Sequence, residues 1–420
     1  MESMKKILII SNNVLSSQNN NGKTLLSFFK DHPKSHLAQL YFSNEELGGV
    51  YVSTSYRISD EDVLKSVFSY KVKAGAGLDY IKNFDEILKK EPSKIKYESF
   101  KSSNLARLLR EVVWKVSGIN KQSLSKWVSE FNPDVVFFCA GDSLFAYDIY
   151  QAVCSYLPNV KKVVYITDDY ILPRETLNLF WLLRRRLTYS KMKKAVPESD
   201  VFVTISEEMR FEYKKLFNKD SILAFNMSKD LKVHDFKKTE RSDLLLVYAG
   251  GLHFKRWKTL SLLAKALSDF NFLNSRDVTL EIYSNQSVSG DVLSEIEVQG
   301  VSKFCGGLSE NGVQYALNNA DILVHAESFE KKCIESTRLS VSTKIAEYIS
   351  VGSKILAIGP SSIASMRFLD KHVICVSDFE NIQSKLTVLL DDKCDFKQDL
   401  DFLEKKMLKN KNDFIMNIIK

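Results

Sequence analysis

Short apolar runs recur along the first half of the chain, and helical stretches separate most of them. None of the runs shows a clean alternation of apolar and polar positions, which is typical of parallel strands covered on both faces. A polar loop over residues 12–22 follows the first run and leads into a helix over 23–30. The strands predicted for this half are residues 6–11, 37–42, 135–140, 162–167 and 201–205.

The pattern is looser between residues 44 and 132, where we predict an insertion of helices. Ser59 and Asp62 have the spacing of a capping box before an apolar helical run. Helical spacing returns over residues 105–116. The insertion is therefore predicted to add helices to the first domain rather than strands to its sheet.

The second half repeats the alternation after a polar, highly charged segment, residues 227–243, which is the best candidate for a linker. The strands predicted after it are residues 244–249, 278–283, 301–305, 322–325, 354–358 and 373–376. The fold class predicted is α/β, with two Rossmann-like, doubly wound domains over residues 1–230 and 240–400. Because open α/β sheets bind ligands at the carboxyl ends of their strands, we expect the active site to face a cleft between the domains.

Composition and charge exclude several classes of protein. The chain has 420 residues, of which 45% are hydrophobic, as in ordinary soluble globular proteins. Its net charge of +7 is too small for a dedicated nucleic-acid coat, so no nucleic-acid partner is expected. The six cysteines lack CxxC pairs, and no metal site is predicted. The sequence shows no signal peptide and no apolar run of roughly 18 residues. It therefore favours a cytoplasmic protein, with the inner face of the cell membrane as a further expected location.

A strand end followed by two glycines and a basic loop is the most informative stretch, residues 247–260. Gly250 and Gly251 let the backbone approach an anion, and Arg256 arrives just before a predicted helix. Its planar guanidinium suits bidentate contact with a phosphate. The stretch therefore indicates a diphosphate site, although a simple turn with solvated basic residues gives the same pattern.

A second stretch, residues 340–352, places a cap, a cation and a carboxylate at the start of a helix. Ser342 or Thr343 is expected to cap it, and Lys344 stands at its N-terminus. Glu347 follows one turn later, where it suits the hydroxyls of a neutral ribose. The alternative is an ordinary amphipathic helix with a Lys/Glu pair one turn apart.

Together, over about residues 244–360, these stretches resemble the C-terminal half of the retaining, nucleotide-sugar-dependent glycosyltransferases of the GT-B fold, family 4. The resemblance implies a nucleoside diphosphate sugar as donor, UDP-sugar rather than GDP-sugar, with no tightly bound cofactor and no obligatory metal. It also implies that a C-terminal helix, residues 401–420, packs back on the N-terminal domain. In the first half the resemblance is limited to the layout and to the loop after the first strand, where it implies contacts of Asn13, Gly22 and Lys23 with acceptor or phosphate.

The resemblance assigns residues by position, with two departures. Arg256 falls on the family's basic residue, and Glu347 matches the second glutamate of its paired-glutamate motif. Gly251 stands where many members have arginine, and Leu339 stands where the first glutamate belongs. An insertion before Leu339 would place Glu327 or Glu330 at that first position, and Glu327 is our candidate there for a catalytic role.

Carboxylates at the end of the strand over residues 162–167 are candidates for the acceptor side. Asp168 is expected to contact the acceptor hydroxyl or to act as its base, with Asp169 second. A pair of aspartates also chelates metals or caps the next segment, and both alternatives stay open.

Residues 177–194 combine aromatic and aliphatic side chains with six cations and no acid. A helix of this kind, with Trp181, Arg184, Arg185 and Arg186, is predicted to rest on an anionic membrane surface. The alternative is an amphipathic helix that buries its leucines and tryptophan and solvates its arginines.

These observations predict a retaining, hexosyltransferase-type enzyme. Its acceptor would be a glycan or a lipid-linked or protein-linked sugar, in the synthesis of surface polysaccharide or glycoconjugate. One alternative is a non-catalytic GT-B subunit that acts as partner or chaperone of an active enzyme. The other is a nucleotide-sugar epimerase.

Overall fold

The computed structural model describes residues 4–16, 20–45, 51–69, 71–79, 103–225, 243–390 and 398–419, without the side chains of 20, 21, 78 and 79. The described chain divides into two compact units. Unit 1 comprises Met1–Asn226 and Asn410–Lys420, and unit 2 comprises Met227–Lys409. The predicted linker, except for Asp243, lies outside the described residues.

Unit 1 is built on one sheet with the strand order β4-β3-β2-β1-β5-β6-β7-β8. All neighbouring strands are parallel except β3 and β4, which are antiparallel. The strands are β1 Ile7–Ser11, β2 Leu37–Tyr41, β3 Thr54–Arg57, β4 Ala76–Asp79, β5 Val135–Ala140, β6 Lys161–Ile166, β7 Val201–Thr204 and β8 Ile222–Leu223. All residues of β1, β2 and β5 are buried, as their continuous apolar runs predict.

The region from 44 to 132 differs from the prediction of helices alone. Strands β3 and β4 lie within it and extend the sheet beyond β2. Each strand is only four residues long, which is too short for a hydrophobic period to reveal. The helices of unit 1 are α1 Asn20–Phe29, α2 Asp60–Phe68, α3 Asn104–Val116, α4 Lys121–Phe131, α5 Leu144–Tyr156, α6 Leu179–Ala195 and α7 Glu207–Phe217.

The predicted capping box at Ser59 is present at the start of α2. The Ser59 Oγ accepts from the Asp62 N–H at 3.1 Å, and an Asp62 carboxylate oxygen accepts from the Ser59 N–H at 3.1 Å. Two donors that the first helical turn leaves unpaired are therefore satisfied by local sequence.

Unit 2 contains a parallel sheet with the strand order β11-β10-β9-β12-β13-β14. Its strands are β9 Leu244–Ala249, β10 Val278–Tyr283, β11 Ser302–Gly306, β12 Ile322–Ala326, β13 Lys354–Ile358 and β14 Ile374–Val376. Its helices are α8 Arg256–Asn274, α9 Gly290–Ile296, α10 Glu310–Asn319, α11 Lys331–Thr337, α12 Thr343–Val351, α13 Ala364–Leu369, α14 Ile382–Leu390 and α15 Leu400–Phe414. The end of α15 belongs to unit 1.

The chain order reverses once in each sheet. In unit 1, β1 has β2 on one side and β5 on the other, and in unit 2, β9 has β10 on one side and β12 on the other. At such a switch point the loops after two neighbouring strands run to opposite faces of the sheet. They leave a crevice between them at the carboxyl ends of the strands. The fold therefore provides one candidate ligand position in each unit.

Candidate functional site

In unit 2 the two glycines after β9 are held in tight contact with their neighbours. The Gly250 N–H donates to the Tyr283 carbonyl at 3.0 Å, and the Tyr248 hydroxyl donates to the Gly251 carbonyl at 2.7 Å. A Cβ on Gly251 would lie 2.4 Å from the Nδ1 of His253, and one on Gly250 would lie 2.9 Å from the Tyr248 hydroxyl. Glycine is therefore required at both positions to bring the backbone beside these rings.

Two residues in the left-handed region turn this loop into α8. Phe254 and Lys255 have φ angles of 55° and 57°. Such angles are uncommon for side chains larger than glycine and are found where surrounding contacts impose them. The turn makes Arg256 the first residue of α8, at the carboxyl edge of the sheet.

Arg256 forms a buried ion pair with Glu327, which directly follows β12. Its Nη2 and Nε lie 2.9 and 3.1 Å from the Oε2 of Glu327. The two side chains are only 15% and 3% exposed. The remaining nitrogen, Nη1, lies 3.1 Å from His253 Nε2 and is the part of the guanidinium on the exposed side. One face of Arg256 is thus held by protein while Nη1 stays accessible.

The charges of this pair shift the pKa of each group. Burial by itself would raise the pKa of Glu327, but the charges and hydrogen bonds of Arg256 and His325 together outweigh it, and the pKa is lowered. Burial would likewise lower the pKa of Arg256, but Glu327 raises it. The pKa of His253 is lowered by burial and by Arg256. Glu327 is therefore ionised and His253 neutral around pH 7.

Both carboxylate oxygens of Glu327 lie beside basic side chains of unit 2. Its Oε1 lies 3.4 Å from the Nε2 of His325, and its Oε2 is taken by Arg256. The backbone is held as well, since the Glu327 N–H donates to the Ile358 carbonyl and the Thr259 hydroxyl donates to the Glu327 carbonyl. These contacts hold Glu327 against Arg256, and the catalytic role expected for Glu327 from the sequence stays a prediction.

The neighbouring lysines form a second, more exposed cluster. Lys255 and Lys258 each place Nζ 2.5 Å from a different oxygen of Glu330, the residue that caps α11. Hydrogen bonds from both lysines lower the pKa of Glu330. Cations at the start of α8 are therefore balanced by carboxylates that follow β12.

Gly359 lets Glu327 approach the neighbouring strand. A Cβ at Gly359 would lie 2.7 Å from the Cβ of Glu327 and 3.3 Å from Met366. Gly359→Ala is expected to displace Glu327 and to lower the free energy of unfolding by about 1–3 kcal/mol, as in other overpacked cores. Urea titration measures this loss. Gly290→Ala is the matched control, because nothing lies within 4 Å of a Cβ there, and equal losses in both variants would contradict the prediction.

The predicted residues of α12 lie close to the glycine loop. The Tyr348 hydroxyl accepts from the Ala249 N–H at 3.4 Å, which joins α12 to the end of β9. The Ser342 hydroxyl caps the helix by accepting from the Lys344 N–H, at 3.4 Å, and Thr343 is the first helical residue. Lys344 Nζ lies 3.0 Å from the Oε2 of Glu347, which is 10% exposed. Both predicted stretches thus meet at one edge of the sheet.

In unit 1 a small open pocket lies at the carboxyl ends of β1, β5 and β6. It is lined by Ser11, Asn12, Asn13, Leu25, Cys139, Ala140, Gly141, Thr167 and Tyr170. The lining contains amides and hydroxyls but no charged group. Such a lining suits an uncharged polyol better than a phosphate. The pKa of Cys139 is raised to about 12 by burial and by Asp168, so its thiol is not a nucleophile near neutral pH.

The loop after β1 is organised by a residue that the sequence did not single out. Gln39 in β2 is fully buried and donates to the Asn13 carbonyl at 3.0 Å, while its Oε1 accepts from the Leu15 N–H at 3.1 Å. Gly22 lies beneath this loop, since a Cβ there would be 2.6 Å from the Val14 carbonyl. Lys23 follows on α1 and is not among the lining residues.

The two aspartates after β6 have different surroundings. Asp168 is half-buried and directly follows the lining residue Thr167. Asp169 is buried and accepts from the N–H groups of Ile171 and Leu172 at 3.2 and 2.9 Å. Asp169 therefore caps the following turn, which matches one of the alternatives drawn from the sequence.

The basic helix α6 does not present all of its predicted membrane contacts. Arg184 is buried, donates to Asn104 at 2.6 Å and pairs with Asp142. Arg185 donates to the Ile171 carbonyl at 2.6 Å, and Trp181 is half-buried with the guanidinium of Arg174 5.7 Å from its ring. These three predicted contacts serve the packing of unit 1, and of the four only Arg186 is exposed.

Within the described residues, no group of three or more His, Cys, Asp and Glu side chains is arranged to hold a metal ion. Among the helices described, none is long and apolar enough to cross a membrane.

Comparison by sequence finds no matching family model and no matching curated protein. Comparison of structures finds α,α-trehalose 6-phosphate synthase from Burkholderia multivorans, with a TM-score of 0.57 at 10% identity over 98% of this chain and 93% of that chain. The glycosyltransferase of kitacinnamycin has a TM-score of 0.53 at 11% identity over 100% of both chains. Both are GT-B glycosyltransferases. This chain has the GT-B fold.

A third structure with this fold contains a bound nucleotide sugar analogue. It is the E. coli trehalose-6-phosphate protein bound with UDP-2-fluoro glucose, with a TM-score of 0.55 at 8% identity over 98% of this chain and 96% of that chain. The fold class predicted from the sequence is therefore confirmed. At identities this low the likeness establishes the GT-B fold alone, and roles of individual residues rest on the contacts described above.

Proposed function

We propose that the protein is a glycosyltransferase that transfers a sugar from a nucleoside diphosphate sugar, UDP-sugar in preference to GDP-sugar. The observation that supports this most directly is the position of Arg256. It begins a helix immediately after a glycine loop, at the switch point of the unit 2 sheet, with Nη1 on the exposed side. Helix N-termini and arginines are favourable partners of phosphate groups, and the GT-B fold makes a nucleotide sugar the expected ligand.

The donor diphosphate is proposed to bind Arg256 Nη1 and the N-terminal amides of α8. As the bond between sugar and diphosphate breaks, negative charge develops on the leaving group, and preorganised donors stabilise it. Glu327 supports this role because it holds Nε and Nη2 and so directs Nη1 outward. The guanidinium is therefore already oriented, and the diphosphate would share Nη1 with His253.

Glu347 is proposed to accept hydrogen bonds from the hydroxyls of the donor ribose. Lys344 is proposed to balance the charge of Glu347 until the nucleotide binds. The 3.0 Å contact between them keeps the carboxylate at the start of α12, and the Tyr348 contact keeps α12 beside the glycine loop. Retention of anomeric configuration is part of the proposal, through the resemblance of residues 244–360 to the retaining family.

The acceptor is proposed to be an uncharged sugar hydroxyl of a glycan or lipid-linked glycan, bound at the unit 1 pocket. Asn13, Thr167 and Tyr170 supply neutral donors and acceptors there. Asp168 is the candidate for orienting or deprotonating the acceptor hydroxyl, because it is half-buried directly after Thr167. Surface polysaccharide or glycoconjugate synthesis is the process in which such an acceptor would occur.

One observation favours a second candidate, a non-catalytic subunit of the same fold. Leu339, at the place of the first glutamate of the family motif, is 5% exposed and apolar, and Glu327 is bound to Arg256 instead of facing a substrate. A chain that has lost this glutamate can still bind nucleotide without transferring sugar. Mass analysis of products formed from UDP-sugars and candidate glycan acceptors separates the two functions.

If Glu347 binds the ribose hydroxyls, the affinity for a nucleotide should depend on those hydroxyls. UDP at 100 times its dissociation constant should add about 2.7 kcal/mol to the stability of unit 2, seen as a thermal shift. UDP should bind better than its 2′,3′-dideoxy analogue by about tenfold, since a hydrogen bond to a charged group is worth about 1.5–3 kcal/mol. Glu347→Ala should abolish this preference and leave the dideoxy analogue bound as before.

Glu335→Ala is the matched control, because Glu335 is a glutamate of the same unit that lies on α11, outside the proposed ribose site. It should keep the preference for UDP. A Glu347→Ala variant that still discriminates against the dideoxy analogue would remove Glu347 from the proposed site. Absence of a thermal shift with UDP, GDP and every other nucleotide would remove the donor site altogether.

A further inference from the structure

Helix α3 carries an unusual row of exposed apolar side chains. Leu105, Leu109, Val112 and Val116 are 44–64% exposed. Their spacing of four, three and four residues places them along one face of the helix. Trp114, on another face, is buried against Phe145. Packing among the described residues of unit 1 therefore leaves this row exposed.

Two helices that pack against α3 also expose large apolar side chains. Helix α3 contacts α2 through Arg110 and Trp114, which donate to Asp60 at 2.7 and 2.8 Å. It contacts α6 through Asn104, which accepts from Arg184 at 2.6 Å. Both neighbours expose large apolar side chains. We call the following set the apolar face: Leu64, Phe68, Leu105, Leu109, Val112, Val116, Leu177, Leu179, Phe180, Leu182, Leu183 and Leu187.

The most exposed members of the apolar face do not belong to the core of unit 1. Leu177 is 96% exposed, Phe68 is 86% exposed and Leu179 is 75% exposed. Isolated exposed apolar residues are ordinary, but so many on three neighbouring helices and the residue that precedes the N-cap of α6 indicate an interaction surface.

Exposed cations lie on the same elements as this face or next to them in the chain. They are exposed and form no ion pair with another described residue: Lys71, Lys73, Lys115, Arg186, Lys193 and Lys194. Helix α6 contributes cations and no acidic residue. The positive charge of these residues indicates the kind of partner. In an isologous contact between two copies the same cations would face each other, and the two copies would repel each other. An anionic surface attracts these cations instead.

We propose that the apolar face docks unit 1 on an anionic lipid bilayer. Its leucines, valines and phenylalanines would enter the boundary between headgroups and acyl chains, and the exposed lysines and Arg186 would contact anionic headgroups. This surface differs from the one predicted from the sequence, since Trp181, Arg184 and Arg185 are engaged within unit 1. The proposal is independent of whether the protein transfers a sugar.

Flotation of the full chain with vesicles tests the docking. Wild type should float with vesicles of phosphatidylcholine containing 30% phosphatidylglycerol, and at least tenfold less with phosphatidylcholine alone. Leu109→Ser/Val112→Ser should abolish flotation. Lys193→Ser/Lys194→Ser should weaken it about thirtyfold, because each basic residue near an anionic surface contributes on the order of fivefold.

The matched control removes two exposed apolar residues from unit 2, as Phe272→Ser/Leu273→Ser, which are 86% and 70% exposed. It should float like wild type. Circular dichroism and thermal melting establish that each variant is folded. The proposal is overturned if wild type does not float, if the unit 1 variants float as wild type does, or if the protein is a dimer that Leu109→Ser/Val112→Ser dissociates.

Discussion

Arg256→Ala is expected to lower the free energy of unfolding of unit 2 by about 3–5 kcal/mol at pH 7, the usual cost of removing one partner of a buried ion pair. The cause is Glu327, whose side chain is 3% exposed and would remain in the core without its cation. The same change should abolish the thermal shift with UDP, since it removes Nη1. Urea denaturation measures the loss of stability, and titration calorimetry at a temperature where the variant is folded measures UDP binding.

The pH dependence provides the internal check on this prediction. The pKa of Glu327 in the folded protein is lowered below its ordinary value of 4.5. Its contribution to stability is therefore complete above that value and is lost as the pH falls through the lowered pKa. The difference between wild type and Arg256→Ala should accordingly shrink in acid.

A matched control separates Arg256 from the other cations of the loop. Lys258→Ala removes a lysine whose side chain is 48% exposed and which shares Glu330 with Lys255. An exposed pair of this kind contributes little, so stability should change by less than about 1 kcal/mol. If the two variants lose stability equally, or if Arg256→Ala retains full affinity for UDP, the roles given to Arg256 are wrong.

Phe414→Ala is expected to destabilise unit 1 by about 3–5 kcal/mol, the range for large aromatic residues in cores. Phe414 is 1% exposed, and its ring centroid lies 4.6 Å from that of Phe28, 5.9 Å from that of Phe29 and 5.8 Å from that of Phe137. These contacts connect the end of the chain with α1 and β5. Deleting the ring would leave a cavity among side chains that belong to the first half of the sequence.

Hydrogen exchange by mass spectrometry measures where this loss occurs. Amides of β1, β5 and α1 should exchange faster in Phe414→Ala, and those of β9 and β12 should not change. Met416→Ala is the matched control in the same terminal segment, because Met416 is 61% exposed and should cost little. Uniformly faster exchange in both units would contradict the assignment of residues 410–420 to unit 1.

Much of the fold is predictable because its signals are local. Strands β5, β9, β10 and β13 begin and end where the apolar runs do. The Ser59 box forms as its spacing predicts, because both of its hydrogen bonds are made within four residues. Strands β3 and β4 were missed for the opposite reason, since four-residue strands depend on pairing with β2 rather than on their own pattern.

The candidate site was predicted in its parts but not in its contacts. The glycines, Arg256 and Glu347 were found from their order along the chain, and their roles stay proposals. The partner of Arg256 is 71 residues away, and the sequence suggested a substrate-facing role for that same Glu327. Likewise, Arg184 is indistinguishable in sequence from Arg186, yet one is buried beside Asp142 and the other is exposed.

By itself, the sequence determined the α/β class, most strands of the two sheets and the glycine loop that leads into Arg256, because periodicity, caps and turns act over a few residues. Only the tertiary structure decided which charges meet. It paired Glu327 with Arg256 and Glu330 with two lysines, buried Arg184, and left the apolar face exposed. Burial and ion pairing depend on which distant elements pack together, and that arrangement is set by the whole chain.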